Sequence, residues 1–393
     1  MHFGGFEALR ALAAVMVVAH HAGSYAGEAR AGWLATPAAV MDGGVAVFFV
    51  LSGFLIYRPF VARDVEGRAA PRLADFWWRR VLRIVPAYWL VLTFFWALGS
   101  FELGSQWWRY YLLVQIYSPS TVLGGVVQAW SLATEMSFYL VLPLWAAAVA
   151  RLGSDRSPAA RARWHLGACG VLFAGGYASR VAIEAWWPAQ RALSFNWLPT
   201  NLDLFASGMA LAVVSVWVTA DGSSFARLQR AAGRVWPWWT AAAAIFAWYA
   251  YAVGPADFAT GYSGWFWHRR QLVLALFTVL LMIPAVLGDQ ERGWARRAWS
   301  AGPLVFVGTV SYGLYLWHFD WMKRSIAGVD GFGAPTWPGW VHTPPGDSNV
   351  WLLLAVGLGV GLVFAAASWY LLEQPLQRFK DPRRALGRPR PQR

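Results

Sequence analysis

The chain has 393 residues, of which 58% are hydrophobic and 13% are charged, and its mean hydropathy is +0.39. A soluble domain carries roughly 25% charged residues, so the composition excludes an ordinary soluble protein and favours a membrane-embedded one. The single cysteine, Cys169, excludes an intrachain disulfide and a cysteine-based metal cluster. The formal charge of +13 comes almost entirely from arginine, since Lys323 and Lys380 are the only lysines. Its distribution among loops argues against a nucleic-acid partner.

Long apolar segments recur from one end of the chain to the other, each close to the ~20 residues that a transmembrane helix needs. The pattern predicts an all-α polytopic membrane protein with about ten transmembrane helices. The predicted spans are residues 6–23, 40–61, 76–99, 128–150, 164–186, 200–220, 236–255, 268–288, 304–324 and 349–372. A shorter amphipathic piece, residues 107–118, is expected to lie at the membrane interface.

The connections between these spans differ in their basic residues. The segments on one side hold 22 arginines and lysines, whereas those on the other side hold 3. Basic loops face the cytoplasm, so both termini are predicted to be cytoplasmic. We expect the first span to be retained, because it lacks the charged leading region of a secretory signal and carries Arg10 and two histidines. Residues 330–348 are expected to form an outer loop.

The first span contains Arg10, His20 and His21, and ionisable residues inside a membrane are functional candidates by default. Arg10 and His21 are eleven residues apart, which places them on one helix face and about 16 Å apart along it. His20 lies about 80° away from Arg10 around the helix. We therefore predict His21 as the working histidine, and the alternative is a histidine that only hydrogen-bonds a carbonyl.

The second and third spans supply candidate binding residues. Ser52 and Gly53 end a glycine-rich segment, residues 43–54, and glycines allow a close approach of either a helix or a ligand. Arg80 and Arg83 lie one turn apart at the cytoplasmic start of the third span, on one helix face. Two guanidinium groups there are suited to a diphosphate or a ribose phosphate, although the positive-inside rule alone also places arginines there.

The later spans carry further polar candidates. Glu135, about two turns below the outer end of the fourth span, is expected at the depth of His21, where it would orient the imidazole as a general base. A helix-packing hydrogen bond is the alternative for Glu135. Asp203 is expected to be a helix N-cap. Tyr315 and His318 share a face of the ninth span near His21, where they either line an acceptor site or hydrogen-bond between helices.

Six segments, in this order along the chain, carry a resemblance to a known family. They are the residues from Leu9 to His21, GGVAVFFVLSGF at 43–54, RVLR at 80–83 followed by PAYW, WSLATE at 130–135, SYGLYLWH at 311–318 and YLLEQP at 370–375. Together they are similar to the motifs of the acyltransferase 3 family, the membrane acyltransferases of O-antigen, peptidoglycan, exopolysaccharide and antibiotic-sugar modification. The resemblance covers nearly the whole chain.

This resemblance implies acyl-CoA, with acetyl-CoA favoured, as a co-substrate and no bound cofactor. It also implies that His21 is catalytic and that Arg10, Arg80 and Arg83 serve donor binding or site architecture. Two positions depart from many relatives, since Ala46 stands where they have aspartate and Met136 where they have a second glutamate. The chain also ends without the extracellular domain that some members carry, so transfer is expected to finish within the membrane domain.

The resulting hypothesis is an enzyme of the bacterial cytoplasmic (inner) membrane that O-acylates a sugar or glycoconjugate of the cell envelope. The predicted site has two catalytic residues and seven substrate-binding residues, and no metal. These are His21 and Glu135, and then Arg10, Arg80, Arg83, Ser52, Gly53, Tyr315 and His318. Residues 1–375 would form the membrane domain and residues 376–393 a basic cytoplasmic tail. The alternative is a transporter or flippase of lipid-linked or acylated sugar, although the inverted repeats of many transporters are not evident.

Overall fold

The computed structural model describes residues 5–27, 31–67, 72–153, 156–221, 225–254, 264–288, 293–326 and 349–380. Within these ranges the chain forms helices joined by turns, and no strand is present there. The helices include α1 (Phe6–Ala26), α2 (Gly44–Glu66), α3 (Leu73–Ala97), α4 (Trp107–Tyr111), α5 (Trp130–Leu152), α6 (Pro158–Trp186), α7 (Leu198–Ala220), α8 (Ala226–Gly233), α9 (Val235–Trp248), α10 (Gly264–Leu287), α11 (Trp294–Trp299), α12 (Gly302–Thr309), α13 (Ser311–Arg324) and α14 (Val350–Phe379). Two short helices, Ala35–Val40 and Arg191–Ser194, carry no label.

Seven helices in the described part of the chain are long and apolar enough to cross a membrane. They are α2 with the helical turns that precede it (Gly32–Glu66), α3, α5 with the turn before it (Val127–Leu152), α6, α7, α10 and α14. A helix satisfies its own backbone hydrogen bonds, which is why it is suited to the hydrocarbon core. By length and composition, the chain is therefore a multi-pass, helical membrane protein.

Three predicted spans are not among these seven. α1 is a continuous helix of 21 residues, but Arg10 and the two adjacent histidines lower its mean hydropathy. α9 has 14 residues and continues as a π-helical turn, Tyr249–Val253, and its tryptophans lower its hydropathy. The ninth predicted span is divided at Val310 into α12 and α13. The predicted count of about ten spans is thus not confirmed by helix length and apolarity.

α2 and α7 pack closely because each contributes a glycine to their contact. A Cβ atom on Gly53 would collide with the carbonyl oxygen of Phe205, and a Cβ atom on Gly208 would collide with that of Val50. Small residues at a helix crossing allow the backbones to approach, and this is the main source of close packing where lipid replaces water. Gly53 is therefore a helix-packing residue, and its role in substrate binding stays a prediction.

α1 lies inside the helical bundle, in contact with α2, α12 and α13. Gly308 of α12 packs against the backbone of Glu7, and Gly44 of α2 packs against that of Ala13. These close approaches enclose the polar face of α1 on two sides. The arrangement places α13 beside the C-terminal half of α1, where the predicted histidines lie.

The periphery of the bundle carries large apolar side chains. Trp186 and Trp187 at the end of α6 are 69% and 59% exposed, as is typical of the aromatic belt at a membrane interface. The predicted interfacial piece, residues 107–118, contains α4 and one 3₁₀ turn, Gln115–Tyr117. The predicted outer loop, residues 330–348, and residues 381–393 of the predicted tail lie outside the described residues.

Candidate functional site

A pair of histidines joins α1 to α13. His21 Nδ1 lies 2.8 Å from His318 Nε2, and the two rings stack with centroids 5.1 Å apart. His318 is completely buried, whereas His21 is half-buried. The predicted proximity of His318 to His21 is therefore confirmed.

The hydrogen bonds around this pair determine which nitrogen carries each proton. His318 Nδ1 lies 2.9 Å from the carbonyl oxygen of Leu314, which can only accept, so Nδ1 of His318 carries a proton. In a neutral pair, His318 Nε2 is then an acceptor, and His21 Nδ1 donates to it. This leaves the lone pair on Nε2 of His21, which makes no hydrogen bond to the described residues. That nitrogen is free to accept a proton from a substrate.

His20 points to a different part of the bundle from its neighbour. Its side chain is buried, and its Nδ1 donates to the carbonyl oxygen of Ala38 at 3.0 Å. The sequence predicted that the two histidines would differ in role because they lie on different faces of α1. The structure agrees with that difference in placement, since His21 contacts α13 and His20 contacts the segment before α2.

Glu135 does not orient His21, contrary to the expectation from helix depth. Its Oε1 accepts a hydrogen bond of 2.5 Å from the Ser52 hydroxyl, and Tyr139 lies beside Ser52 at 3.5 Å. The two helices do place Glu135 and His21 in the bundle interior. However, α5 faces α2 at this position, whereas the neighbour of His21 is α13, so His318 occupies the place that we had assigned to Glu135.

Glu135 and Ser52 line a cleft that is bordered by α1, α2, α3, α5 and α13. Three arginines predicted to bind substrate are also in its wall, as is Tyr315. The described lining residues are Arg10, Phe48, Phe49, Leu51, Ser52, Leu55, Ile56, Arg80, Arg83, Ile84, Ser131, Leu132, Glu135, Tyr139, Ser311, Tyr312 and Tyr315. The cleft thus combines an apolar wall with a few polar groups, as ligand sites commonly do.

Three arginines form the cationic end of the cleft, and acidic side chains near them offset part of their charge. Arg10 forms an ion pair of 3.6 Å with Glu7. Arg80 lies over the ring of Tyr139 at 5.8 Å, and its buried Nε has no hydrogen-bond partner among the described residues. Partial burial and the positive charges of Arg83, Arg80 and the adjacent Arg79 lower the pKa of Lys380. An anionic ligand would relieve this accumulation of positive charge.

Tyr315 lies between the cleft and the histidine pair. Its ring centroid is 6.2 Å from that of His318, and its hydroxyl donates to the carbonyl oxygen of Gln128 at 2.8 Å. The hydroxyl oxygen of Ser131 lies 2.7 Å from the same Tyr315 oxygen and hydrogen-bonds to it. Neither His21 nor His318 lines the cleft, so the cleft residues and the histidine pair form two adjoining groups, with Tyr315 between them.

The sequence reasoning missed two buried ion pairs. Arg180 and Asp203 pair at 2.8 Å and are each 2% exposed, so Asp203 is an interior residue of α7 and the predicted N-cap role is wrong. Asp320 and Lys323 pair at 2.6 Å on α13. All four are charged residues within spans or at their ends, the signal that had already singled out Arg10. In the described residues no group of three or more His, Cys, Asp or Glu side chains is arranged to hold a metal ion.

Comparison with known proteins gives one family match. Residues 3–372 match the acyltransferase 3 family model, which is described as an acyltransferase domain. The chain is 26% identical to the peptidoglycan O-acetyltransferase OatA of Listeria monocytogenes, over 80% of this chain and 48% of that protein. It is 24% identical to YrhL of Bacillus subtilis, over 95% of this chain and 54% of that protein.

A third relative is more similar over a shorter region. The acyltransferase MdmB of Streptomyces mycarofaciens is 36% identical over 26% of this chain and 27% of that protein. The chain spans about half the length of the Listeria and Bacillus relatives, at 48% and 54%. No solved structure matches the chain.

Proposed function

The chain belongs to the acyltransferase 3 family, and on that premise we propose that it moves an acyl group from acyl-CoA to a hydroxyl of a sugar or glycoconjugate. The observation that carries the proposal is the pairing of a cationic cleft with an adjoining imidazole. Arg10, Arg80 and Arg83 line the cleft, and His21 beyond it has an available ring nitrogen. The cleft would bind the anionic donor, and the imidazole would take the proton of the acceptor hydroxyl, as the reaction requires.

The donor would bind at the arginine end of the cleft. Guanidinium groups bind phosphate through paired hydrogen bonds, and the unpartnered Nε of Arg80 is such a donor. The thioester arm would extend along the apolar wall toward Tyr315. Arg10 and His21 are about 16 Å apart along α1, a separation comparable with the reach of an extended pantetheine arm.

His21 would act as the general base. Its Nε2 removes the proton of the acceptor hydroxyl as the hydroxyl oxygen attacks the thioester carbonyl carbon. The carbon–sulfur bond then breaks, and CoA leaves with the proton returned by His21. His318 accepts from His21 Nδ1 at 2.8 Å, so it holds the ring and stabilises the imidazolium that forms.

We assign Glu135 to the donor side of the site. Its bond to Ser52 holds both side chains in the wall of the cleft, and Arg80 and Arg83 line the same wall. The carboxylate would thus help to position the arginines without contacting the histidine pair. Tyr315, at the boundary, would contact the acyl end of the donor.

The acceptor is proposed to be a cell-envelope sugar. Two observations support this class, namely the name of the Listeria relative as a peptidoglycan O-acetyltransferase and the family membership of the chain. The donor's acyl group is proposed to be acetyl for the same reason. The membrane is proposed to be the bacterial cytoplasmic membrane, with residues 1–375 as the catalytic domain and residues 376–393 as a basic tail.

We also propose that about ten segments cross this membrane and that both termini are cytoplasmic. The support is the asymmetry of 22 basic residues against 3 between the two sets of connections. Arg80 and Arg83 then face the cytoplasm, where acyl-CoA is made. His21 and His318 lie in the outer halves of α1 and α13, so the acceptor would approach from the outer side.

A CoA-release assay on the purified protein tests the proposal. Acetyl-CoA is supplied with chitotetraose or with the disaccharide of N-acetylglucosamine and N-acetylmuramic acid, and free thiol and acetylated sugar are measured. We expect thiol release that depends on the sugar and is lost in His21→Ala. A folded protein that releases no CoA with any acyl-CoA and sugar, but exchanges labelled sugar across vesicles, would instead support a transporter.

A further inference from the structure

Asp320 and Lys323 form a buried ion pair close to the histidine pair. They lie one turn apart on α13, at 0% and 3% side-chain exposure, with Asp320 Oδ1 and Lys323 Nζ 2.6 Å apart. Taking two charges out of water costs several kcal/mol per ion. Such a pair is weak support for stability, so its position next to a reactive histidine points to another role.

The carboxylate of Asp320 is incompletely satisfied. Apart from the ammonium of Lys323, neither of its oxygens has a hydrogen-bond partner among the described residues. A buried carboxylate normally accepts several hydrogen bonds, and a missing one leaves a large desolvation cost uncompensated. Asp203, the other buried aspartate of an ion pair, differs because Arg180 and the backbone N–H of Leu204 occupy its two oxygens. Asp320 Oδ2 is therefore a buried acceptor without a hydrogen-bond partner among the described residues.

One aromatic ring, Phe319, connects this ion pair to His21. Its centroid lies 4.3 Å from that of His21 and 5.6 Å from that of Tyr25, and Lys323 Nζ lies 5.0 Å from it. Tyr25 is half-buried. Asp320 is thus connected to the surroundings of His21 through Lys323 and Phe319, and Tyr25 borders the same ring.

The inference rests on the proposed function, in which α13 runs outward and the acceptor approaches His21 from the outer side. Asp320 and Lys323 follow His318 along α13, so they border that approach. The pair has no net charge, and Arg324 beside it is held by Ser100 and by the carbonyl oxygen of Leu98. The expected ligand is a neutral group rich in hydroxyl donors.

We infer that Asp320 is an acceptor-binding residue, which receives a hydrogen bond from a hydroxyl of the sugar next to the one that is acylated. Binding of this second hydroxyl would fix the ring so that the reacting hydroxyl points at His21 Nε2. Lys323 keeps the carboxylate ionised and oriented. An acceptor that lacks the neighbouring hydroxyl would then bind poorly, since the carboxylate would remain without a partner.

Kinetics with two acceptors test this assignment. Initial rates with the better sugar of the assay above give the KM for the sugar and the KM for acyl-CoA, and any slow CoA release without sugar measures transfer to water. We expect Asp320→Asn to raise the KM for the sugar about tenfold or more, since a hydrogen bond to a charged group contributes on that scale. The KM for acyl-CoA and the rate of release to water should stay within twofold of wild type.

Two further variants keep the test decisive. Because Asp320→Asn leaves Lys323 buried without a counter-charge, the double variant Asp320→Asn/Lys323→Met removes both charges and should show the same rise in sugar KM. Asp203→Asn is the matched control, since it neutralises a buried aspartate whose oxygens are already occupied. It should lower thermal stability and leave the sugar KM unchanged.

The outcomes separate this inference from the proposed function. A wild-type enzyme that transfers to sugar, with the sugar KM unchanged in both Asp320 variants, would overturn the role of Asp320 alone. A wild-type protein that releases no CoA at all would overturn the proposed function. A matching rise of sugar KM in Asp203→Asn would show a general effect of buried charge and also overturn the assignment.

Discussion

Replacing His318 with phenylalanine removes the imidazole that bonds His21 and keeps a planar ring in a fully buried position. The lost interaction is a single hydrogen bond of 2.8 Å, and such a bond contributes about 0.5–1.5 kcal/mol. If the bond only orients His21, kcat should fall by roughly two- to tenfold, because 1.4 kcal/mol corresponds to a factor of ten. A larger loss would mean that His318 also stabilises the imidazolium in the transition state.

Loss of the base itself should be far more severe. General base catalysis contributes about 10²–10⁴-fold, so His21→Ala should lower kcat by about that factor. His20→Ala should leave kcat near wild type, because its ring bonds the carbonyl of Ala38 and not the reactive pair. The expected order of damage is therefore His21→Ala, then His318→Phe, then His20→Ala.

The assay is steady-state CoA release at saturating sugar, with size-exclusion and thermal melting to confirm that each variant is folded. A second variant, His318→Gln, restores an acceptor for His21 Nδ1 through its side-chain carbonyl. It should recover part of the kcat that His318→Phe loses. Wild-type kcat in a folded His318→Phe, or no recovery in His318→Gln, would refute the orienting role of His318.

Three other predictions concern the donor, the sidedness of transfer and the helix packing. Arg80→Lys and Arg83→Lys should each raise the KM for acyl-CoA roughly three- to tenfold, because an ammonium cannot form the paired bonds of a guanidinium. Arg79→Lys is the matched control, and the same KM for acyl-CoA in all three variants would indicate that Arg80 and Arg83 have a purely topological role. Sealed inside-out vesicles should use added acyl-CoA to acylate a sugar trapped in the lumen, whereas right-side-out vesicles should require permeabilisation; efficient use of external acyl-CoA by the latter would contradict the cytoplasmic donor side. Gly53→Leu should lower stability by ~1–3 kcal/mol or more in detergent melting, since a side chain there meets the Phe205 carbonyl; Gly359→Leu, at an open position, should melt like wild type.

Helix periodicity and charge were enough to predict the helical membrane class and many residues of the cleft. Arg10 was found by its position in an apolar span, and Arg80 and Arg83 by their one-turn spacing; the structure places all three around one cleft. Their binding role stays a prediction. The sequence pattern predicts these residues because it determines on which face of its own helix, and at which depth, each residue lies.

The errors arose where the answer depended on a second helix. Depth alone placed Glu135 beside His21, but the neighbour of each residue depends on how the helices pack, and Glu135 meets Ser52 instead. Gly53 could be assigned to either ligand binding or helix packing for the same reason, and its contact with the Phe205 backbone comes from a second helix. The interior position of Asp203 is explained by its ion pair with Arg180, which lies 23 residues earlier and on another helix, so the pattern of α7 alone did not predict it.

The hydrogen-bonded series that begins at His21 ends at a backbone carbonyl, that of Leu314. A carbonyl of the peptide group accepts a hydrogen bond but does not take up and pass on a proton. The series can polarise His21, but it offers no exit for a proton toward the cytoplasm. A proton taken from the acceptor must therefore leave by the nitrogen at which it arrived. In the proposed reaction that proton leaves with CoA on the cytoplasmic side, so each acyl group delivered to an outer acceptor would be accompanied by one proton moving inward. The histidine pair by itself offers no path by which protons would cross between turnovers.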